Sequence, residues 1–99
     1  MSKCISVLGS TGSIGRQTLQ VARELGLKVA ALTAGKQIDL LEQQARQFRP
    51  CLAAVYEEAA ARELRERLKD LPIEVMSGRE GLLAAAELAD ADTVVTAVM

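Results

Sequence analysis

The feature that most constrains this chain is a regular alternation between short apolar runs and longer segments whose apolar residues recur at helical spacing. The runs lack polar alternation, which is typical of strands that are buried on both faces of a sheet. We predict such strands at 4–8, 27–32, 51–56, 72–76 and 93–99. Between them, the spacing predicts helices at 13–25, 38–48, 57–70 and 81–89.

Strands that alternate with helices of about ten to fifteen residues indicate parallel strands joined by right-handed crossovers. The predicted fold is therefore α/β, a Rossmann-like doubly wound parallel sheet of five strands with helices on both faces. The last run, 93–99, reaches the end of the chain without a turn residue or a following helix. We therefore expect this chain to be the amino-terminal piece of a longer protein, truncated after its last strand.

The helical spacing also predicts which side of each helix is buried. On the first helix, which Gly26 is expected to stop, the predicted buried residues are Ile14, Thr18, Val21, Ala22 and Leu25. Pro50 is expected to end the second helix, because the residue before a proline is pushed out of helical geometry. On the third helix, whose charged face should be solvated, the predicted buried residues are Ala60, Leu64, Leu68 and Leu71.

The composition excludes several classes of partner. The 99 residues fit one domain, and their formal charge of −1 leaves no dense basic surface for nucleic acid. No apolar run approaches the ~20 residues of a membrane span or the ~7–15 residues of a signal-peptide core. The two cysteines, Cys4 and Cys51, lie in apolar stretches and are expected to be buried reduced thiols. These features predict a cytoplasmic protein that binds neither nucleic acid nor membranes.

The chain has no histidine, and no cysteines or carboxylates stand at metal-ligand spacing. Any chemistry would therefore need a borrowed reactive group, and one segment is suited to hold it. The segment Gly-Ser-Thr-Gly-Ser-Ile-Gly, residues 9–15, joins the first predicted strand to the first helix. Glycines at that turn let a backbone approach a pyrophosphate, whose charge the start of the helix favours. A purely structural turn is the alternative, whereas a Walker loop is excluded because Arg16 and Gln17 follow Gly15.

The segment after the second strand, Thr-Ala-Gly-Lys-Gln at 33–37, predicts which dinucleotide binds. Sites for NAD usually place an acidic residue there to hold the ribose 2′-hydroxyl, but no acid occurs before Asp39. Lys36 is a cation where a 2′-phosphate would sit, and Thr33 and Gln37 can donate hydrogen bonds. The segment therefore favours NADP, although Lys36 can also be interpreted as an ordinary surface lysine.

Three stretches, LGSTGSIGRQTLQV, VAALTAGKQ and TVVTAVM, closely resemble the amino-terminal, NADPH-binding part of the 1-deoxy-D-xylulose 5-phosphate reductoisomerase family. The resemblance covers essentially the whole chain and implies that residues 1–99 form an NADPH-binding domain. It implies pyrophosphate contacts from Thr11, Gly12, Ser13 and Ile14. It implies contacts to the adenosine 2′-phosphate from Gly35, Lys36 and Gln37. Gln37 departs from the Asn expected there, and Ala97 would lie near the nicotinamide.

The resemblance also implies an activity for the full-length enzyme. Members of the family rearrange and reduce 1-deoxy-D-xylulose 5-phosphate to 2-C-methyl-D-erythritol 4-phosphate, in the non-mevalonate pathway to isoprenoids. They use NADPH and a divalent cation (Mg, Mn or Co) and form homodimers. The metal-binding and substrate-binding residues of the family lie beyond Met99, so the piece alone is expected to be inactive.

Two alternatives remain open at this point. Acyl-phosphate reductases related to aspartate-semialdehyde dehydrogenase use a similar glycine turn, but they need a nucleophilic cysteine, and neither Cys4 nor Cys51 is suitably placed. A non-catalytic nucleotide-binding module is the other alternative. The sequence downstream of Met99 would separate them, because the reductoisomerase needs a carboxylate pair and the reductase needs its cysteine.

Overall fold

The computed structural model describes residues 4–35, 37–87 and 93–96. Strands and helices alternate along them: β1 (Cys4–Leu8), α1 (Ser13–Leu25), β2 (Lys28–Ala34), α2 (Ile38–Phe48), β3 (Leu52–Val55), α3 (Glu58–Arg67), β4 (Glu74–Ser77), α4 (Gly78–Ala86) and β5 (Thr93–Thr96). The α/β class and the parallel sheet predicted from the alternation are confirmed.

The described strands form a sheet in the order β4-β3-β2-β1-β5, and every neighbouring pair is parallel. From β1 to β4 each strand is added on the same side of its predecessor. The connection from β4 to β5 then crosses back to the other side of β1. The strand order therefore reverses at β1, whose neighbours are β2 and β5.

This reversal distributes the helices between the two faces of the sheet. Right-handed crossovers in one direction place successive helices on one face, and a reversal of direction places the next helix on the other. The larger core cluster accordingly joins the sheet to α1, α2 and α3 through Leu19, Leu41 and Leu64. A second, smaller cluster packs Ala85 of α4 against Ala31 and Leu52 on the opposite face.

The buried face of α1 differs from the prediction. Ala22 is buried as predicted, and Gly15 and Leu19 are buried with it. Ile14, Val21 and Leu25 were expected in the core but are 53%, 50% and 69% exposed. The reason is a contact that apolar periodicity does not reveal. A Cβ atom on Gly15 would lie 2.2 Å from the carbonyl oxygen of Gly9, so the helix packs its glycine against the turn. That contact fixes the rotation of α1 and turns the larger apolar residues outward.

Several boundaries also differ from those predicted. Strand β2 continues to Ala34, two residues beyond the predicted end, and therefore includes Thr33. Strand β4 is Glu74–Ser77, and α4 begins three residues early, at Gly78, because the backbone bends there with φ +68° and passes directly from strand to helix. On α3 the buried residues are Ala61 and Leu64, and Leu68 is buried just after the helix. Ala60 and Leu71 are only partly buried.

The helix ends follow the predicted chemistry. Gly26 adopts the left-handed conformation (φ 70°) and caps α1, as expected. Helix α2 ends before Pro50 with Arg49 in the same left-handed region (φ 47°).

Cys51 precedes β3 and is exposed, so its predicted burial is wrong, and Cys4 is half-buried. Within the described ranges, none of the helices is long and apolar enough to cross a membrane.

Candidate functional site

The turn between β1 and α1 is anchored to the end of β2. Gly9 has φ +84°, a conformation that glycine adopts without strain. Its N–H donates to the carbonyl oxygen of Thr33 (3.1 Å) and approaches the hydroxyl Oγ1 of the same residue (2.9 Å). The N–H of Ser10 donates to the same carbonyl at 2.8 Å. Thr33 is 1% exposed and serves as the anchor of the turn, while its role as a donor to a cofactor stays a prediction.

A buried polar pair connects this turn to α2. The hydroxyl of Ser10 donates to Oε1 of Gln44 at 2.7 Å, and Nε2 of Gln44 donates to the carbonyl oxygen of Ser10 at 2.9 Å. Both side chains are buried, where an unpaired polar group would be costly. The pair therefore fixes the turn against the helix that follows β2.

The three glycines of the turn occupy three different environments. Gly9 needs its positive φ, and Gly15 needs the missing side chain because the backbone of Gly9 lies against it. Gly12 has neither requirement in its backbone, since φ −76° and ψ 171° are open to other residues. It is also exposed at the start of α1. The backbone conformation of Gly12 therefore does not itself require glycine.

Gly12 is the N-cap of α1, and glycine has no side chain with which to cap the helix. Its carbonyl accepts a hydrogen bond from Arg16, whereas the N–H groups of the first turn point away from the helix body. The first turn carries no acidic residue. This end of α1 is therefore suited to an anion, which both the free N–H groups and the helix dipole favour.

The end of β2 lies beside the end of β3. The N–H of Tyr56 donates to the carbonyl of Ala34 at 3.1 Å, and the N–H of Glu57 donates to the carbonyl of Gly35 at 3.4 Å. Gly35 is exposed, and no atom lies within 4 Å of a Cβ built on it. Gln37 is exposed at the N-cap of α2, whereas Lys36 lies outside the described residues.

A groove of about 320 Å³ runs between these loops at the carboxyl ends of the strands. Its lining is predominantly apolar and consists of Gly9, Gly12, Thr33, Ala34, Gly35, Tyr56 and Leu82. The structure thus brings residues 11–14 and the two described residues of the second segment, Gly35 and Gln37, to the same edge of the sheet. Thr11 is half-buried and Ser13 and Ile14 are exposed there, while Ala97 lies outside the described residues.

Sequence reasoning missed Tyr56 and Leu82 as members of this groove. Tyr56 could have been found, because it is the last residue of the third predicted strand and the carboxyl ends of parallel strands meet at one edge. Leu82 could not, since its place depends on the crossover that carries α4 to the other face.

The strongest electrostatic interactions of the described residues lie elsewhere. Arg67 of α3 pairs with Asp39, Glu42 and Glu63, and its hydrogen bonds to Asp39 and Glu63 raise the pKa of its guanidinium. Hydrogen bonds from Arg46 lower the pKa of Asp70. These groups join α2 to α3 on the outside of the molecule and do not line the groove. Among residues 4–35, 37–87 and 93–96, no group of three or more histidine, cysteine or acidic residues could hold a metal ion.

Comparison with known proteins identifies the family of this chain. The family model described as 1-deoxy-D-xylulose 5-phosphate reductoisomerase matches residues 5–99. The chain is 50% identical over 99 residues to the enzyme of that name from Ruminiclostridium cellulolyticum, covering 100% of this chain and 26% of the relative. It is 57% identical over 84 residues to the one from Acetivibrio thermocellus, covering 85% of this chain and 22% of that protein.

Solved structures give the same result. A crystal structure of DOX-P reductoisomerase in complex with NADPH, fosmidomycin and magnesium superimposes with a TM-score of 0.90 at 32% identity, over 97% of this chain and 24% of that one. The enzyme from Zymomonas mobilis in complex with NADPH gives 0.88 at 31% identity, over 95% of this chain and 25% of its own. The chain belongs to the 1-deoxy-D-xylulose 5-phosphate reductoisomerase family, which decides against the acyl-phosphate reductase alternative. It spans about a quarter of the length of the relatives it matches.

Proposed function

We propose that residues 1–99 form the NADPH-binding domain of a 1-deoxy-D-xylulose 5-phosphate reductoisomerase, with a Rossmann-like, doubly wound fold. Family membership supports this, as do the two solved relatives that hold NADPH. The strand order supports it too, since ligands of open α/β sheets bind at the carboxyl ends of strands where the order reverses, here at β1.

The main support for the proposal is that the three glycines of the turn meet different structural requirements. The fold requires Gly9 for its φ and Gly15 for its packing, whereas the φ and ψ of Gly12 do not require glycine. In a dinucleotide site the middle glycine allows the backbone to approach the pyrophosphate. Gly12 is exposed at an uncapped helix start, where such an approach is open.

In this proposal Thr11, Gly12, Ser13 and Ile14 hold the pyrophosphate through the turn and the first N–H groups of α1. Gly35, Lys36 and Gln37 hold the adenosine 2′-phosphate, and Ala97 lies near the nicotinamide. When bound, NADPH supplies the hydride, and this domain supplies binding and orientation.

The activity of the whole protein is part of the same proposal. The full-length protein would form a homodimer. With a divalent cation, it would convert 1-deoxy-D-xylulose 5-phosphate to 2-C-methyl-D-erythritol 4-phosphate. One solved relative is a complex with magnesium, which supports the metal. The chain covers about a quarter of its relatives' length, and we place the metal-binding and substrate-binding catalytic domain in the part of the protein outside these 99 residues. We accordingly expect no NADPH oxidation when the chain alone is incubated with Mg²⁺ and the substrate.

Calorimetric titration of the chain with NADP⁺ and NAD⁺ tests the cofactor assignment. A charge-assisted contact to the 2′-phosphate is of the order of 1.5–3 kcal/mol, so Lys36 should favour NADP⁺ by about ten- to a hundredfold. The preference should shrink as salt rises, because exposed charges are screened.

Two variants at Lys36 make the test specific. Lys36→Ala should weaken NADP⁺ and leave NAD⁺ nearly unchanged, and Lys36→Glu should move the preference towards NAD⁺. Equal losses for both cofactors would assign Lys36 to the fold of the loop. Failure of the wild-type chain to bind either dinucleotide would refute the proposed function itself.

A further inference from the structure

The amino ends of the strands carry a cavity to which the proposed function gives no role. It measures about 950 Å³ and is lined mainly by residues of two segments, 22–30 and 47–51, where α1 leads into β2 and α2 leads into β3. Backbone hydrogen bonds fix both segments. The N–H of Leu27 donates to the carbonyl of Ala22 at 2.8 Å, and the N–H of Cys51 donates to the carbonyl of Ala30 at 2.9 Å. The cavity is therefore built by the fixed backbone of the fold.

Every charged residue among the described residues that line this cavity is a cation. These residues are Arg23, Lys28 and Arg49, and all three are exposed. In the described part of the chain, none of them forms an ion pair or a side-chain hydrogen bond. By contrast, Arg46 and Arg67 on the neighbouring surface of α2 and α3 are both paired with carboxylates. The cavity thus gathers positive charge that the described residues leave uncompensated.

The helix ends at this edge do not balance three positive charges. The carboxyl ends of α1 and α2 carry a partial charge of about −0.5 each, so together they offset about one of the three cations. Backbone caps already satisfy part of these ends, since the N–H of Gly26 donates to the carbonyl of Arg23 at 3.3 Å and the N–H of Arg49 donates to that of Ala45 at 2.8 Å. The cavity wall therefore keeps a surplus of about two positive charges.

The rest of the cavity wall is largely apolar. Ala22 and Val29 are buried, and Leu27 and Phe48 are partly buried against the core. An apolar wall beside uncompensated cations suits a ligand that has both an apolar body and an acidic group. The body is removed from water, and the acidic group finds opposite charge.

We propose that this cavity is a second ligand site, which binds a small organic anion with an apolar body and one or two acidic groups. The charge surplus sets the number of acidic groups, and the volume lies within the range of about 300–1,000 Å³ that is typical of small-molecule sites. The site goes beyond the proposed function and does not depend on it. The five residues of β1, about 17 Å of strand, separate it from the dinucleotide groove, so both sites can be occupied together.

Two dyes that share one aromatic framework test the need for an acidic group. 8-Anilinonaphthalene-1-sulfonate carries a sulfonate, and N-phenyl-1-naphthylamine lacks it. In fluorescence titrations the sulfonate should bind the chain more tightly, and its advantage should shrink as salt rises, because exposed charges are screened. Equal affinity of the two dyes at low salt would overturn the proposal.

Variants of the cations make the test specific. Arg23→Gln and Lys28→Gln should each weaken binding of the sulfonate by about 1.5- to 5-fold, as expected of exposed ion pairs, and leave the uncharged dye unaffected. The matched control is Arg79→Gln, on an exposed arginine of α4 that lies outside the cavity lining and has no ion pair among the described residues. Urea unfolding of the same samples checks that all variants are folded. An equal loss in the control would reduce the effect to net charge and overturn the site.

Cys51 reports the location without any substitution in the cavity. It is exposed and lines the cavity, so saturating sulfonate dye should slow its alkylation by iodoacetamide, as measured by mass spectrometry of the cysteine peptide. NADP⁺ should not displace the dye. Displacement by NADP⁺, or unchanged alkylation of Cys51, would place the anion outside this cavity and overturn the proposal. A chain that binds the dye here but binds no dinucleotide would support this site and refute the proposed function.

Discussion

The two edges of the sheet both carry a cavity, and the larger one is not at the proposed dinucleotide site. At the amino ends of the strands a cavity of about 950 Å³ is lined by residues that include Cys4, Arg23, Lys28, Arg49 and Cys51. At the carboxyl ends the groove measures only about 320 Å³. Cavity volume alone would favour the amino edge as the binding site for the dinucleotide, whereas the backbone N–H groups at the helix starts favour the carboxyl edge.

The difference comes from the direction of the helices. In a parallel sheet with crossover helices, each helix begins at the carboxyl edge and ends at the amino edge. The amino edge therefore receives the carbonyl ends of α1 and α2, both closed by residues in the left-handed conformation, Gly26 and Arg49. The partial negative charge at these helix ends favours nearby cations, which accounts for Arg23, Lys28 and Arg49 in the cavity. The carboxyl edge receives N–H groups, which an anionic cofactor needs.

The largest expected effect tests the structural half of the glycine turn. In Gly15→Ala the new Cβ would meet the backbone oxygen of Gly9 at 2.2 Å, and neither group can move without breaking the anchor to Thr33. We expect the free energy of unfolding in urea to fall by about 3 kcal/mol or more. The matched control is Gly35→Ala, where the space is open, and it should change by less than about 0.5 kcal/mol. Equal stability of the two variants would show that the turn is not packed as described.

The next effect tests the functional half of the same turn. Gly12→Val places side-chain atoms where the pyrophosphate would approach, so NADP⁺ affinity should fall about 100-fold, the equivalent of losing a charge-assisted hydrogen bond. The unfolding free energy should change by less than about 1 kcal/mol, because the extended backbone of residue 12 accepts a branched side chain. Calorimetry and urea unfolding on the same samples separate the two. A collapse in stability with unchanged affinity among folded molecules would make Gly12 a structural residue.

A smaller effect tests whether the turn depends on α2. Gln44→Leu removes the partner of the Ser10 carbonyl and leaves the Ser10 hydroxyl only the carbonyl of Thr33 at 3.3 Å, and we expect a loss of about 1–3 kcal/mol in the free energy of unfolding. Gln43→Leu, one residue away on the exposed side of the helix, should lie within about 0.5 kcal/mol of the wild type. If both glutamines behave alike, the buried pair does not support the turn.

The smallest effect tests the amino edge. Arg23→Ala and Lys28→Ala remove charge from the larger cavity, and both should leave NADP⁺ affinity within about twofold, since exposed charges more than a Debye length away are screened. Calorimetric titration at physiological ionic strength measures this. A tenfold loss of affinity in either variant would mean that the dinucleotide binds at the amino edge, and our assignment of the carboxyl edge would then be wrong.

Much of the fold was predictable from the sequence because alternating periodicity dictates alternating elements. The rotation of α1 was predictable only in part. Apolar spacing correctly placed Ala22 in the core but also selected Ile14, Val21 and Leu25, whereas close packing on the turn buries Gly15 and Leu19 instead. A helix can thus expose its largest apolar residues when a backbone contact fixes its orientation.

The site was predictable where its residues lie in one local segment and unpredictable where they come from distant ones. The turn at 9–15 could be interpreted locally, but Thr33 was assigned to a loop and is the buried end of a strand. Its role depends on the pairing of β1 with β2, which local spacing does not specify. Lys36 and Ala97 lie outside the described residues, and their roles stay predictions.

The anchoring of the turn on β2 has a consequence for the order of folding. Gly9 and Thr33 are 24 residues apart, whereas the pairing of β1 with β5 joins opposite ends of the chain. Contacts between nearby residues close small loops and form early, and contacts between remote residues form late. The phosphate turn can therefore be assembled from β1, α1 and β2 alone, while the strand that completes the other side of β1 arrives last. During synthesis this would give the nascent chain its turn before the rest of the sheet exists.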